Sequence, residues 1–150
     1  MKSILRTTIV LLGAALLLGA CAGYSSSAAQ PVTAQDFNGL VSALQANGAA
    51  VEQAGEINLP YFTVTGQQIT VDGAPVQVYQ YASEAERADA AALIAPDGYM
   101  INGQAIDWAD QPTMWANGQL IIIMVGDHPD ASAAITTVMG DPFIAAYPME

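Results

Sequence analysis

Residues 120–125, "LIIIMV", decide how the rest of the chain has to be arranged. Six apolar residues in a row, three of them β-branched isoleucines, do not alternate with polar ones, so neither side of the segment is suited to water. The Asn117-Gly118 pair before it and Gly126 after it limit it to strand length. Such a segment reads as a central strand buried on both faces, or with one face buried and the other covered by a helix. The remaining chain must supply that cover.

Working outward, residues 113–116 provide a strand that the Asn117-Gly118 turn folds back onto 120–125, and a further strand is expected around residues 106–108. Downstream, "HPDASAAITTVMG" starts a helix at Pro129 or Asp130, sets Ala131, Ala134, Ile135 and Val138 on one side, and closes at Gly140-Asp141-Pro142. Upstream, "YFTVTGQQITVDGAPVQVYQYAS" alternates through Ile69, Val71, Val76 and Val78 about Asp72-Gly73, which is a hairpin pattern with Pro75 at the first position of its second strand. "AAVEQAGEI" reads as a short strand. Ser83 and Glu86 in "SEAE" match a capping box for an alanine-rich helix running towards Pro96-Asp97-Gly98, whose thin apolar face suits close packing on a sheet. In "TAQDFNGLVSALQANG", Thr33 is the expected N-cap, Phe37, Leu40, Val41 and Leu44 follow helical spacing, and Asn47-Gly48 ends the helix.

The order helix, strands, helix, strands, helix predicts an α+β domain: a mainly antiparallel sheet with three helices packed largely on one face. Helix starts near 33, 83 and 130 fall about 50 residues apart, with an Xaa-Gly turn in each interval, and raise the expectation of an internal αββ-type duplication.

The N-terminus stands apart from this domain. "MKSILR" carries Lys2 and Arg6, and an uncharged apolar run follows, ending in small residues at Cys21, the only cysteine. That is the layout of a signal peptide. Residues 7–20 are too few for a span, because roughly 30 Å of hydrocarbon takes about 20 apolar residues. Leu18-Gly19-Ala20-Cys21 resembles the lipobox of bacterial lipoproteins, a likeness confined to the first 21 residues. It implies that the Cys21 thiol is lipidated and the chain cut just before it. Residues 1–20 are then the signal, 21–32 the lipidated cysteine and a flexible tether, and 33–150 a single globular domain. An ordinary signal peptide would instead leave an unpaired thiol in an oxidising compartment. The anchor on Cys21 makes the membrane a partner and the location extracytoplasmic, each buried CH₂ contributing about 0.8 kcal/mol. Ala22 replaces the aspartate that, in the resembling double-membrane systems, favours inner-membrane retention, and so admits the outer membrane.

Charge narrows the chemistry. The chain has 3 Lys and Arg against 14 acidic residues and a net charge of −11, and loss of Lys2 and Arg6 leaves Arg87 as the one strong cation. Nucleic-acid binding, which needs basic side chains to displace phosphate counterions, is excluded. A phosphate cradle and a Schiff-base lysine are excluded with it. Once Cys21 is lipidated, no thiol is left for catalysis, metal binding or a disulfide.

Few reactive groupings remain. In "MVGDHPD", Asp127, His128 and Asp130 suit a helix N-terminus, where the dipole favours acids, better than they suit a metal ion, which wants convergent ligands. His128 is the only histidine and no G-x-S-x-G stretch accompanies it, which argues against a serine hydrolase. No catalytic residue, metal or cofactor is expected. Asp97, Asp107 and Asp110, near Trp108, leave one enzymatic alternative, a small carboxylate-based hydrolase acting on an envelope glycan; turn acids are the simpler account. In "DWADQPTMW", Trp108 and Trp115 flank a proline-containing bend and are the candidate interaction surface, an exposed aromatic patch.

"YFTVTG", "VDGAPVQVYQYAS", "PDG" and "TMWANGQLIIIMVGDHPD", across roughly residues 48–143, resemble small bacterial lipoproteins and exported domains in which an apolar strand is followed by "VGDD" and a short terminal helix. Here His128 stands where the second acid is common. The resemblance implies fold and location and brings no catalytic signature. The favoured reading is a membrane-anchored extracytoplasmic lipoprotein acting as a non-enzymatic binding or envelope-associated module, with a protein or other envelope component as its partner.

Overall fold

The computed structural model describes residues 34–145, so the signal segment, Cys21 and the tether lie outside the described residues. Helix α1 (Phe37–Ala46) is capped by Asp36, whose Oδ1 accepts from the Gly39 amide at 2.7 Å. The cap is therefore Asp36 rather than Thr33, because only an acceptor three residues ahead of that amide reaches it. Strand β1 (Val51–Ile57) leads into the hairpin of β2 (Gly66–Val71) and β3 (Ala74–Gln80). Its turn residues Asp72 and Gly73 both take positive φ, 50° and 84°, as the tightest hairpin turn requires. Pro75 is the second residue of β3, after Ala74, and not the first.

Ser83 caps α2 (Glu84–Ala91) as expected, its Oγ accepting from the Glu86 amide, but the helix stops well before Pro96. No strand forms at residues 106–108. The ladder lies just upstream, in β4 (Met100–Ile101) and β5 (Gln104–Ala105), because Asn102 and Gly103 make a second tight turn with φ of 49° and 73°. Strands β6 (Pro112–Asn117) and β7 (Leu120–Val125) and helix α3 (Pro129–Met139) complete the chain. Pro129 sits in the first turn of α3, where its missing N–H costs nothing.

The main sheet has the order β1-β2-β3-β7-β6, all neighbours antiparallel, so "LIIIMV" lies between β3 and β6 with Val78 and Trp115 on either side of Ile122. Leu120, Ile122 and Met124 join one core with α1 and α3, through Leu40, Leu44, Ile135 and Val138. Ile121 and Ile123 join a second core on the opposite face with Phe62, Tyr79, Tyr81, Met114 and Ile144. Both faces of β7 are buried, and each isoleucine removed from water contributes about 1.5–3 kcal/mol.

This is the expected α+β class, with two helices on one face. Helix α2 buries no residue completely; its Ala90 and Ala91 pack against the second core, so the alanine face does lie close to the structure, on the other side. The hairpins β2–β3 and β6–β7 meet through the β3–β7 pair as a duplicated unit would place them. Helices α1 and α2 pack on opposite faces, so the repeat does not extend to them. The β6 edge is partly occupied by Ile144, which pairs with Met114, while the β1 edge carries a bulge between Gln53 and Gly55 and the acids Glu52 and Glu56, features that deter strand addition.

Candidate functional site

The two tryptophans do not come together. Trp115 is 0% exposed on the helix-covered face, where its Nε1 donates to Thr136 Oγ1 at 3.1 Å. Trp108 packs half-buried on the opposite face, donating from Nε1 to the Gly98 carbonyl at 2.9 Å and meeting the Tyr61 ring edge-on. The expected Trp108–Trp115 patch is therefore corrected: strand alternation in β6 turns Trp115 into the core, and Trp108 lies in an irregular segment over the other side. An NH group and an apolar body in each ring explain why both are anchored inward.

Two of the carboxylates near Trp108, Asp97 and Asp110, act as turn acids. Asp97 Oδ1 accepts from the Tyr99 amide at 3.0 Å and Asp110 Oδ1 from the Gln111 amide at 2.7 Å. Asp110 and His128 flank Gly126, whose Cβ, if it had one, would lie 3.8 Å from Asp110 Oδ2 and 3.5 Å from His128 Nε2. Among the described residues no three His, Cys, Asp or Glu side chains gather in a way that could hold a metal ion. Arg87 is committed to structure: Nε donates to the Gly118 carbonyl at 3.0 Å and a terminal nitrogen pairs with Glu84 at 3.4 Å, tying α2 to the β6–β7 turn.

Beneath the loop at residues 59–64 lies an aromatic cluster. Phe62 and Tyr79 approach to 4.1 Å between ring centroids, and Tyr61 meets Phe62 at 5.2 Å. Tyr79 donates to Gln77 Oε1 at 2.8 Å, whereas the buried Tyr81 hydroxyl has no hydrogen-bond partner. Burial raises the Tyr61 phenol and pushes Tyr81 up to about 12. Tyr79 rises well above the usual phenol range through burial, reinforced by the Tyr61 and Tyr81 phenols. These groups stay protonated at neutral pH and serve as packing.

The exposed apolar groups are elsewhere in the same cover. Leu93 is 53% exposed, Met100 48%, Phe143 44% and Tyr99 41%. Ile94 pairs antiparallel with Ile101, and the Ala95 and Asn102 amides donate to the Met100 and Leu93 carbonyls. Ile94 and Ile101 turn inward, so alternation sends Leu93, Ala95 and Met100 outward, and Met100 pairs with the exposed Ala105 of β5. A small ladder with an apolar outer side results. Gly98 seats it on the sheet: a Cβ there would lie 3.1 Å from Pro112 and 3.3 Å from Ile144 and Met114, and its φ is +76°. The signal for this surface was Asn102-Gly103, a tight-turn dipeptide between two apolar runs.

The fold and this surface define an α+β domain with one five-stranded antiparallel sheet, two helices on one face, and a loop-and-ladder cover on the other that presents apolar side chains to solvent. Compared with protein-family models, curated proteins and solved structures, the chain matches none.

Proposed function

We propose that this chain is a membrane-anchored extracytoplasmic lipoprotein whose domain works as a non-enzymatic binding module, with the ladder around Met100 as its contact surface. The observation that carries the reading is the exposed pair Leu93 and Met100, with exposed Ala105 and half-buried Ala95 beside them, set outward by the inward pair Ile94 and Ile101. Large apolar side chains grouped on a rigid support and left in water mark contact surfaces more often than scattered ones do. The lipobox at Leu18-Gly19-Ala20-Cys21 supports the anchor and the location. A carboxylate hydrolase acting on an envelope glycan has less support, since Asp97 and Asp110 each bond the backbone of their own turn.

The test places a photo-crosslinking residue at Met100 and, in a second protein, at the exposed Ala133 of α3, and irradiates intact cells. Defined adducts from position 100 and none from 133 support the reading. Equal or absent labelling from both positions overturns it.

A further inference from the structure

We infer that the ladder surface takes a basic amphipathic protein segment, one whose apolar side chains are interspersed with Lys or Arg. This rests on the binding-module reading and specifies the partner. The outer side of the ladder offers Leu93, Ala95, Met100 and Ala105. Its acidic rim lies at the end where Met100 pairs with Ala105: Asp97 occupies the turn between Ala95 and Met100, and Asp107 follows β5, where Ile106 donates to the Tyr99 carbonyl. Both acids are exposed. An apolar centre with a carboxylate rim complements apolar anchors flanked by cations.

The other occupants fit less well on electrostatic grounds. Arg87, the one Lys or Arg among the described residues, is engaged by Gly118 and Glu84, so nothing at the ladder answers an acidic partner or an anionic headgroup. A second copy would bring the same acids and, among its described residues, no uncommitted Lys or Arg to answer Asp97 and Asp107. A sugar would stack on an open aromatic face, and the outward residues of the ladder, Leu93, Ala95, Met100 and Ala105, include no aromatic ring.

The probe is a short amphipathic leucine–lysine peptide titrated into the purified full chain, beside a leucine–glutamate counterpart of equal apolarity. The leucine–lysine peptide should bind and the leucine–glutamate peptide should not. Leu93→Ser with Met100→Ser, both on exposed side chains, should weaken binding about tenfold. Asp97→Asn with Asp107→Asn should weaken it about threefold and flatten its salt dependence. Glu52→Gln with Glu56→Gln on β1, the same loss of charge at a remote site, should leave it unchanged. Thermal melting confirms that the variants are folded. The inference falls if the leucine–lysine peptide fails to bind, or if the glutamate peptide binds equally. It also falls if the β1 variant loses as much affinity as the ladder acids, or if Leu93→Ser with Met100→Ser binds like the parent. Self-association abolished by the same two serines would replace the inference with a homodimer, and binding to phosphatidylcholine vesicles that those two serines abolish would replace it with a lipid surface. A neutral or acidic protein crosslinked at position 100 would overturn this inference while leaving the binding-module reading intact.

Discussion

Tyr81→Phe should make the domain more stable. Tyr81 is 3% exposed and its hydroxyl is buried without a hydrogen-bond partner. Leaving such a hydroxyl unsatisfied costs about 1–3 kcal/mol, and phenylalanine removes the group while keeping the ring in place. The small void left by one oxygen takes back part of the gain, so the net change is about +1 kcal/mol, a rise in Tm of about 4 °C for a domain of this size. Tyr79→Phe is the contrast: it deletes a 2.8 Å bond to Gln77 and should lower stability by about 1 kcal/mol. The alkaline limb gives a second readout for both tyrosines, since burial raises each phenol. Burial lifts the Tyr81 phenol from 10.0 to about 12, so the unfolded chain releases this proton first. The associated stability is complete below pH 10 and lost progressively as pH climbs towards 12. Urea unfolding of parent, Tyr81→Phe and Tyr79→Phe between pH 7 and pH 11.5 measures both effects. A Tyr81→Phe protein less stable by 1 kcal/mol or more, or one with an unchanged alkaline limb, would refute the reasoning.

Three further outcomes are expected. Gly66→Ala would put a Cβ 2.6 Å from the Tyr79 ring and 2.9 Å from Ile57 Cγ2, and should cost about 1–3 kcal/mol in chemical denaturation; a neutral result would mean that the ring does not lie on Gly66. In Trp108→Phe the remaining emission comes from fully buried Trp115 and should resist acrylamide, whereas in Trp115→Phe the half-buried Trp108 should be quenched; similar quenching would contradict their opposite placements. Cys21→Ser should move the protein out of the membrane fraction or leave it with its signal uncut, and a normally processed variant that still fractionates with membranes would rule out lipidation.

Local chemistry was legible wherever a short stretch suffices. Asp72-Gly73 and Asn117-Gly118 fold their hairpins, Ser83 caps α2, Gly140 ends α3, and unbroken "LIIIMV" is buried on both faces. Asn102-Gly103 carries the same signal as the other two turns, but the strands it joins are two residues each, too short for alternation to mark them. The exposed apolar pair is not legible for the same reason, because Leu93 and Met100 are outward only when Ile94 and Ile101 pair inward.

The α+β class, the hairpins at Asp72-Gly73 and Asn117-Gly118, the scarcity of cations and the lipobox on which the anchor reading rests are all legible in the amino-acid order. These depend on composition and on neighbours a few residues apart. Long-range packing sets the rest: β7 slots between β3 and β6, Trp115 faces the helices while Trp108 lies across the sheet, and the exposed Leu93 and Met100 fall on the ladder. The first depends on pairing between residues some 40 positions apart, such as Val78 with Ile122, and the last on Ile94 meeting Ile101; a side chain's face in a strand is set by the partner's register as much as by its own neighbours.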